Sequence, residues 1–287
     1  MTRRLALLLP GFAWLILFVA GPALILLAIA LAEADSGIPP FIPPIGIEDG
    51  ALRLRGTFGN FATLLADSYY SDAVLRALRV AFTTAVLCLV IAYPMAIGIA
   101  RAAPARRVWL LVLLMLPFWT GFLIRIGAWI GLLRDGGWIN TALIGAGLIT
   151  EPIPLLYTEG AMLIGMVHAY LPFAVLPLFA ALLRLDPVLQ EAAADLGARP
   201  WTAFRTVTLP LSLPGAIAGF LLVFIPAAGE FVIPELMGPP EAQLVGRVLW
   251  QEFFANRDWP VASALAVALL VLLIVPLRLF QRIEARP

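Results

Sequence analysis

Glu230, Arg125 and His168 are ionisable side chains set inside long apolar runs. A charge at mid-membrane depth costs about 2.5–3.5 kcal/mol, so each needs a reason to be there. A carboxylate at Glu230 would give charge complementarity to a cationic solute, with Gly229 beside it allowing close backbone approach. Trp119, Tyr170 and Phe231 are the aromatic candidates for cation–π contacts of about 0.5–2 kcal/mol with such a solute. Two roles fit Glu230: solute contact, and a structural bridge to Arg125 or another arginine. They are compatible, since a latent pair can open on binding. Arg125 fits three roles: neutralising Glu230, snorkelling to outer headgroups, or holding a solute carboxylate. His168 is the only histidine and reads as a hydrogen-bonded packing residue. No second His, Cys or acid stands near it at metal-ligand spacing, so no metal site is expected. No paired carboxylates, histidine cluster or nucleophile constellation faces one side, which ranks a membrane enzyme last and predicts no catalytic residues.

The elements that must hold these groups are membrane spans. Apolar residues make up 62% of the 287-residue chain, charged residues 13%, and the mean hydropathy is +0.98. Soluble domains sit near 45–50% apolar and about 25% charged. The chain contains no lysine, so it cannot carry a standard phosphate-cradling P-loop, and any ATP use belongs to a partner. Its single cysteine, Cys88, lies in an apolar run and supports no disulfide framework.

A hydrocarbon core about 30 Å thick needs about 20 apolar residues of helix. Six segments qualify: Leu5–Ala32, Ala73–Ala100, Val108–Leu133, Gly160–Leu183, Leu209–Ile233 and Trp259–Phe280. They predict an all-α polytopic membrane protein, a single transmembrane domain over residues 1–287. With the amino terminus inside, the inner segments hold Arg3, Arg4, Arg101, Arg106, Arg107, Arg184, Arg199, Arg205, Arg278, Arg282 and Arg286 against Asp186, Glu191, Asp195 and Glu284. The positive-inside rule then places both termini in the cytoplasm. The outer acidic excess has two readings, steering of polycations and basic protein surfaces, or simply the mirror of that bias; the second explains most of it. The first apolar run is too long for a signal peptide and reads as an uncleaved span.

Between Glu33 and Asp72 the prolines of GIPPFIPPIG impose extended or turn geometry. Phe61, Leu64, Leu65 and Tyr69 recur at helical spacing, which fits a short surface helix or a loop packed on the span ends. Trp138, Trp250 and Trp259 fit an outer aromatic belt. Pro172, Pro177, Pro226 and Pro234 lie in or near spans and are expected to kink them. The two halves show no convincing repeat, which removes support for inverted-repeat secondary transport.

Glu191 to Pro210, EAAADLGARPWTAFRTVTLP, is a charged island between two of these spans. Pro187 can open a helix, Val188–Leu196 are good helix formers, and Gly197 fits the stop. Arg199-Pro200 imposes a turn, and a second short helix is expected over Trp201–Thr206. Glu191, Ala192, Ala193, Gly197, Leu209 and Pro210 fall at the spacing of the cytoplasmic coupling loop of bacterial ABC-importer permeases, which the island resembles; Val207 departs from the family's usual Ile. The resemblance continues through LPFWTGFLIRIGAW (Leu116–Trp129), PLLYTEGAMLIGMVHAYLPFAVLPL (Pro154–Leu178), LPLSLPGAIAGFLLVFIPAAGEFVIPELMG (Leu209–Gly238) and FFANRDWPVASALAV (Phe253–Val267). Over these segments the chain looks like the first permease subunit of spermidine/putrescine-type importers.

That resemblance implies the type I ABC-importer permease fold in a bacterial inner membrane, with a coupling loop over residues 185–208. It also implies a homologous second permease, two ATPase subunits carrying the ATP and Mg, and an extracytoplasmic solute-binding protein, with lipid around the spans and no nucleic acid. ATP binding would bring the coupling helices together and turn the cavity outward; hydrolysis would reset it. The expected solute is a polyamine, with another small organic solute such as an opine or amino-acid derivative as the alternative. A proton-coupled carrier using Glu230 and Arg125 is the competing class, and it has no need for the 191–210 loop.

Overall fold

Long apolar runs become helices because a helix satisfies its backbone hydrogen bonds within itself, which lipid demands. The computed structural model describes residues 2–48 and 51–284, so Arg286 of the orientation argument lies outside the described residues. α1 (Thr2–Leu15), a π-helical turn (Ile16–Ala20) and α2 (Gly21–Ala30) lead into two antiparallel hairpins, β1 (Glu33–Ala34) with β2 (Phe41–Ile42) and β3 (Ile45–Glu48) with β4 (Ala51–Leu54). Next come α3 (Gly59–Ala66), α4 (Ser68–Arg101), α5 (Pro104–Trp119), α6 (Phe122–Leu133), α7 (Trp138–Gly145) and α8 (Glu159–Leu183). α9 (Pro187–Asp195), α10 (Pro200–Ala203) and a second π turn (Phe204–Thr208) run into α11 (Leu209–Ala228). α12 (Val232–Met237), α13 (Val245–Trp250), a third π turn (Gln251–Ala255) and α14 (Trp259–Glu284) complete the chain. The fold is all-helical in class, with the two hairpins as minor additions.

Among the described residues, five helical stretches are long and apolar enough to cross a membrane: Leu8–Ala30, Ser68–Arg101, Glu159–Leu183, Pro200–Ala228 and Trp259–Arg278. A sixth is possible only as a bent pair, Pro104–Trp119 with Phe122–Gly145, which turns by 88°. The stretch 108–133, expected as one crossing, is thus two helices. Thr120 and Gly121 adopt extended backbone, and Thr120 Oγ1 donates to the Pro117 carbonyl at 2.7 Å, satisfying the end of α5 with its own side chain. The expected crossing 209–233 also ends early, at Ala228. Pro172 and Pro177 lie inside the continuous helix α8, and Pro226 inside α11.

The chain packs as two compact units, Met1–Leu75 with Val245–Ile274, and Arg76–Leu244 with Val275–Pro287. In the first, the apolar side chains from Leu8 to Ile25 are largely exposed, a surface that lipid or a neighbouring helix must cover. The helix read from Phe61, Leu64 and Leu65 is α3; Leu64 is buried and Leu65 exposed, while Tyr69 already belongs to α4. Asn60 Nδ2 donates to the carbonyls of Ala30 and Ala32 at 2.9 and 2.8 Å, tying α3 to the end of α2. Glu252 is buried and accepts from the Tyr70 hydroxyl at 3.1 Å and from Asn256 Nδ2 at 2.9 Å.

In the second unit α4 turns Ala85, Cys88, Ala92 and Ala96 into a core shared with Ala174, Val175 and Leu178 of α8 and with Ala216 and Val223 of α11. α8 and α11 pack closely along their lengths. Gly215 and Gly219, four residues apart on one face, make it possible. A β-carbon at Gly219 would sit 2.9 Å from the Ala174 carbonyl oxygen, and one at Gly215 would sit 2.8 Å from that of Pro177. Small residues at this spacing let helix backbones meet where no hydrophobic effect drives association. Asn140, fully buried, exchanges two hydrogen bonds with the Ile153 backbone (2.9 and 3.0 Å) and anchors the segment leading to α8.

Gly219→Ala is expected to lower the thermal unfolding midpoint of the purified protein, on the scale of about 1–3 kcal/mol for overpacking. Gly98→Ala, where an added β-carbon meets nothing within 4 Å, is expected to keep or raise it through helix propensity. Equal midpoints for the two variants would overturn the close-contact role of Gly219.

Candidate functional site

Two sites lie at opposite ends of α11. At the first, Asp186 accepts from the Val188 N–H at 3.0 Å and caps α9, with Pro187 in the first helical position. α9 stops at Gly197, whose φ of +83° favours glycine; its N–H donates to Ala194 at 2.8 Å and that of Ala198 to Ala193 at 3.0 Å. Arg199 is extended before Pro200, so α10 starts afresh. The second short helix expected over Trp201–Thr206 is α10 followed by the π turn, and it continues unbroken into α11. Glu191 and Ala192 are exposed on α9 and Ala193 is partly covered; Leu209 and Pro210 open α11. Leu196 is 90% exposed and Trp201 69%, with Val188 exposed beside them in sequence. The loop thus carries an exposed apolar surface among polar residues.

At the other end, Glu230 occupies the break between α11 and α12. Its Oε1 accepts from the N–H groups of Phe231 (3.1 Å), Val232 (2.9 Å) and Ile233 (3.4 Å), and its Oε2 from the Tyr170 hydroxyl. The carboxylate therefore caps α12, where orphan N–H groups and the helix dipole favour a negative charge. Tyr170 lies 6.3 Å from Phe173, ring centre to ring centre, and Phe173 meets Phe118 edge-on at 5.4 Å. Arg125, in the first turn of α6, sits over Phe118 at 5.2 Å and Phe122 at 5.8 Å. His168 meets Trp129 edge-on at 5.7 Å.

The bridge weighed between Glu230 and Arg125 does not form: among the described residues the two are not an ion pair. Glu230 finds its partners in backbone N–H groups and Tyr170, and Arg125 finds ring faces while its buried Nε has no acceptor. Of the four residues proposed for solute contact, Glu230, Tyr170 and Phe231 come together, Phe231 through its backbone. Trp119 is 77% exposed at the end of α5 and makes no ring contact among the described residues. Its neighbour Phe118 joins the aromatic row instead, as does Phe173, which sequence reasoning missed although it lies three residues from Tyr170 on the same helix. The Gly215–Gly219 spacing was likewise a readable signal. Among the described residues no group of three His, Cys, Asp or Glu converges as a metal site requires.

Residues 4–287 match the family model described as binding-protein-dependent transport system inner membrane component. The chain is 40% identical over 271 residues to the spermidine/putrescine transport system permease protein PotB of Haemophilus influenzae, covering 94% of this chain and 90% of that one. It is 36% identical over 269 residues to PotB of Escherichia coli K12, covering 94% and 93%. In fold it is similar to a chain of a bacterial alginate ABC transporter solved in complex with an alginate pentasaccharide-bound periplasmic protein, with a TM-score of 0.65 at 19% identity over 98% of this chain and 93% of that one. A match running nearly end to end makes the kinship plain: this chain belongs to the binding-protein-dependent transport system inner membrane component family, and is a multi-pass membrane permease.

Proposed function

We propose that the chain is one permease subunit of an ATP-driven, binding-protein-dependent importer of polyamines such as spermidine and putrescine. It forms one half of the translocation pathway, as a single permease domain whose coupling loop spans residues 185–208. The observation that carries the importer reading is the capped helix-turn-helix between α8 and α11, with Leu196 and Trp201 uncovered beside the exposed Glu191. It is small and apolar enough to seat in a cleft of an ATPase, where the ATP and Mg would reside. The remaining partners are a homologous second permease, a second ATPase copy and an extracytoplasmic solute-binding protein. Arginine asymmetry supports cytoplasmic termini in a bacterial inner membrane. The polyamine class rests on the PotB relatives, and Glu230 with Tyr170 and the aromatic row is the matching chemistry for a chain of ammonium groups.

One observation favours a second reading of the solute. Arg125 lacks a carboxylate partner among the described residues, and Glu230 Oε1 is already engaged by three N–H groups. A solute bearing both an ammonium and a carboxylate, such as an amino-acid derivative, would satisfy both.

Three measurements test these readings. ATPase activity of the assembled complex in nanodiscs, with its binding protein, is expected to rise with spermidine or putrescine; stimulation by an amino-acid derivative alone would replace the cargo. Glu191→Arg and Gly197→Asp are each expected to abolish ATP-driven uptake while the permease still inserts, because the first reverses a docking charge and the second puts a side chain at positive φ. Wild-type uptake in either variant would refute docking through this loop. Glu230→Gln keeps an acceptor for the α12 N–H groups but removes the charge. It is expected to raise the polyamine concentration for half-maximal ATPase stimulation about tenfold or more, the scale of one hydrogen bond between charged groups. No shift would remove Glu230 from the solute path.

A further inference from the structure

Two half-open pockets flank the coupling loop. A cavity of about 410 Å³ is bounded on one side by Arg107, Leu182, Leu185 and Pro187. Another of about 400 Å³ is bounded by Ala194, Ala198, Pro200 and Phe204. Ile97, Arg101, Gln190 and Thr208 line both, and three of these four form a hydrogen-bonded chain. Arg101 Nη2, in the last turn of α4, donates to Gln190 Oε1 at 2.7 Å; Gln190 Nε2 donates to Thr208 Oγ1 at 3.3 Å. The amide orientation follows from chemistry, because arginine can only donate and so must face the amide oxygen. Thr208 is buried in the π turn that feeds α11, and π turns often mark functional positions. Gln190 sits on α9 one residue before Glu191. Among the described residues these are the side-chain hydrogen bonds that connect α9 to α4 and to the approach to α11. A ring contact of Phe204 with Tyr93 at 5.6 Å is the apolar counterpart one turn before Thr208.

We infer that Gln190 is a positioning residue, the central member of an Arg101–Gln190–Thr208 strut that makes the coupling helix move as one body with the ends of α4 and α11. A helix flanked by two pockets could otherwise tilt under load, and displacement at the docking surface would be absorbed in them before it reached the spans. The strut carries that displacement to two spans at once: α4 through Arg101, and α11 through Thr208. The 2.7 Å bond to a guanidinium is the stronger of its two links. The inference rests on the reading of α9 and α10 as the ATPase-docking loop.

Gln190→Leu removes both bonds at similar volume, whereas Gln190→Glu keeps an acceptor for Arg101 and for the Thr208 hydroxyl. In proteoliposomes holding the full complex and its binding protein, spermidine imported per ATP hydrolysed is expected to fall about tenfold in Gln190→Leu, and to stay near wild type in Gln190→Glu. In the same complexes, spin labels at Asp195→Cys and Arg106→Cys, on a Cys88→Ser background, are expected to give a narrow distance distribution that broadens in Gln190→Leu and narrows again in Gln190→Glu. An unchanged ratio and an unchanged distribution in Gln190→Leu would overturn the strut, as would failure of Gln190→Glu to restore them. Glu191→Arg separates the two claims. If it imports normally, the docking reading fails; if it abolishes uptake while Gln190→Leu behaves as wild type, only the strut fails. A wild-type complex that imports no spermidine overturns the polyamine reading, and the distance measurement still decides the strut.

Discussion

The backbone contact of α8 with α11, opened by Gly215 and Gly219, is the constraint on which the remaining features depend. These two helices are consecutive spans joined by the 185–208 loop, so their close approach sets how near the loop's two ends lie. At the far end of α11 the same pair brings Tyr170 of α8 to the carboxylate that follows it. From Tyr170 to its last residue, Leu183, α8 extends about 20 Å at 1.5 Å per residue, joining the Glu230 site to the 185–208 loop. Two glycines in one helix cost about 1 kcal/mol each against alanine. That cost is tolerated because the approach they permit cannot be made with any larger side chain.

Charge within the apolar segments is handled in two different ways. Glu230 is met by the start of a helix: three N–H groups converge on one oxygen, and the partial positive charge of α12 lies behind them. The interaction also explains why the fifth crossing stops at Ala228, since the N–H groups held by the side chain are not available to continue the ladder of α11. Arg125 is placed less favourably, as a cation in the first turn of α6, and ring faces of Phe118 and Phe122 offset part of that cost. A span broken at Thr120–Gly121 and another broken at Gly229–Glu230 thus flank the same aromatic row. In lipid, irregular backbone is tolerated where it is buried in protein or lines a cavity.

Much of this was readable from residues in order. The apolar runs named the long helices, and Pro187, Gly197 and Pro200 placed the turns of the 185–208 loop to within a residue or two. Those features are local: hydropathy over about 20 residues, proline's missing N–H, and glycine's access to positive φ. The site was only half readable. Glu230 and Tyr170 were singled out separately, and their hydrogen bond could not be foreseen because they stand 60 residues apart. The bridge to Arg125 was a reasonable pairing of opposite charges by depth, but depth does not say which faces meet. Trp119 and Phe118 are adjacent on α5, so the choice between them turned on the helix's rotation about its axis, which composition does not encode.

By itself the sequence determined that this chain lives in a bilayer, that it contains no P-loop lysine, and that a capped helical loop interrupts its spans before α11. Each of these follows from residue type and near-neighbour spacing. Only the tertiary structure decided that Glu230 is a helix cap held by Tyr170, that Arg125 stands apart on aromatic faces, and that Gln190 of α9 joins Arg101 to Thr208. Such pairings depend on which helix faces pack together and at what rotation. In an apolar medium that is settled by steric fit between small residues far apart in the chain, not by the hydrophobicity that builds the helices.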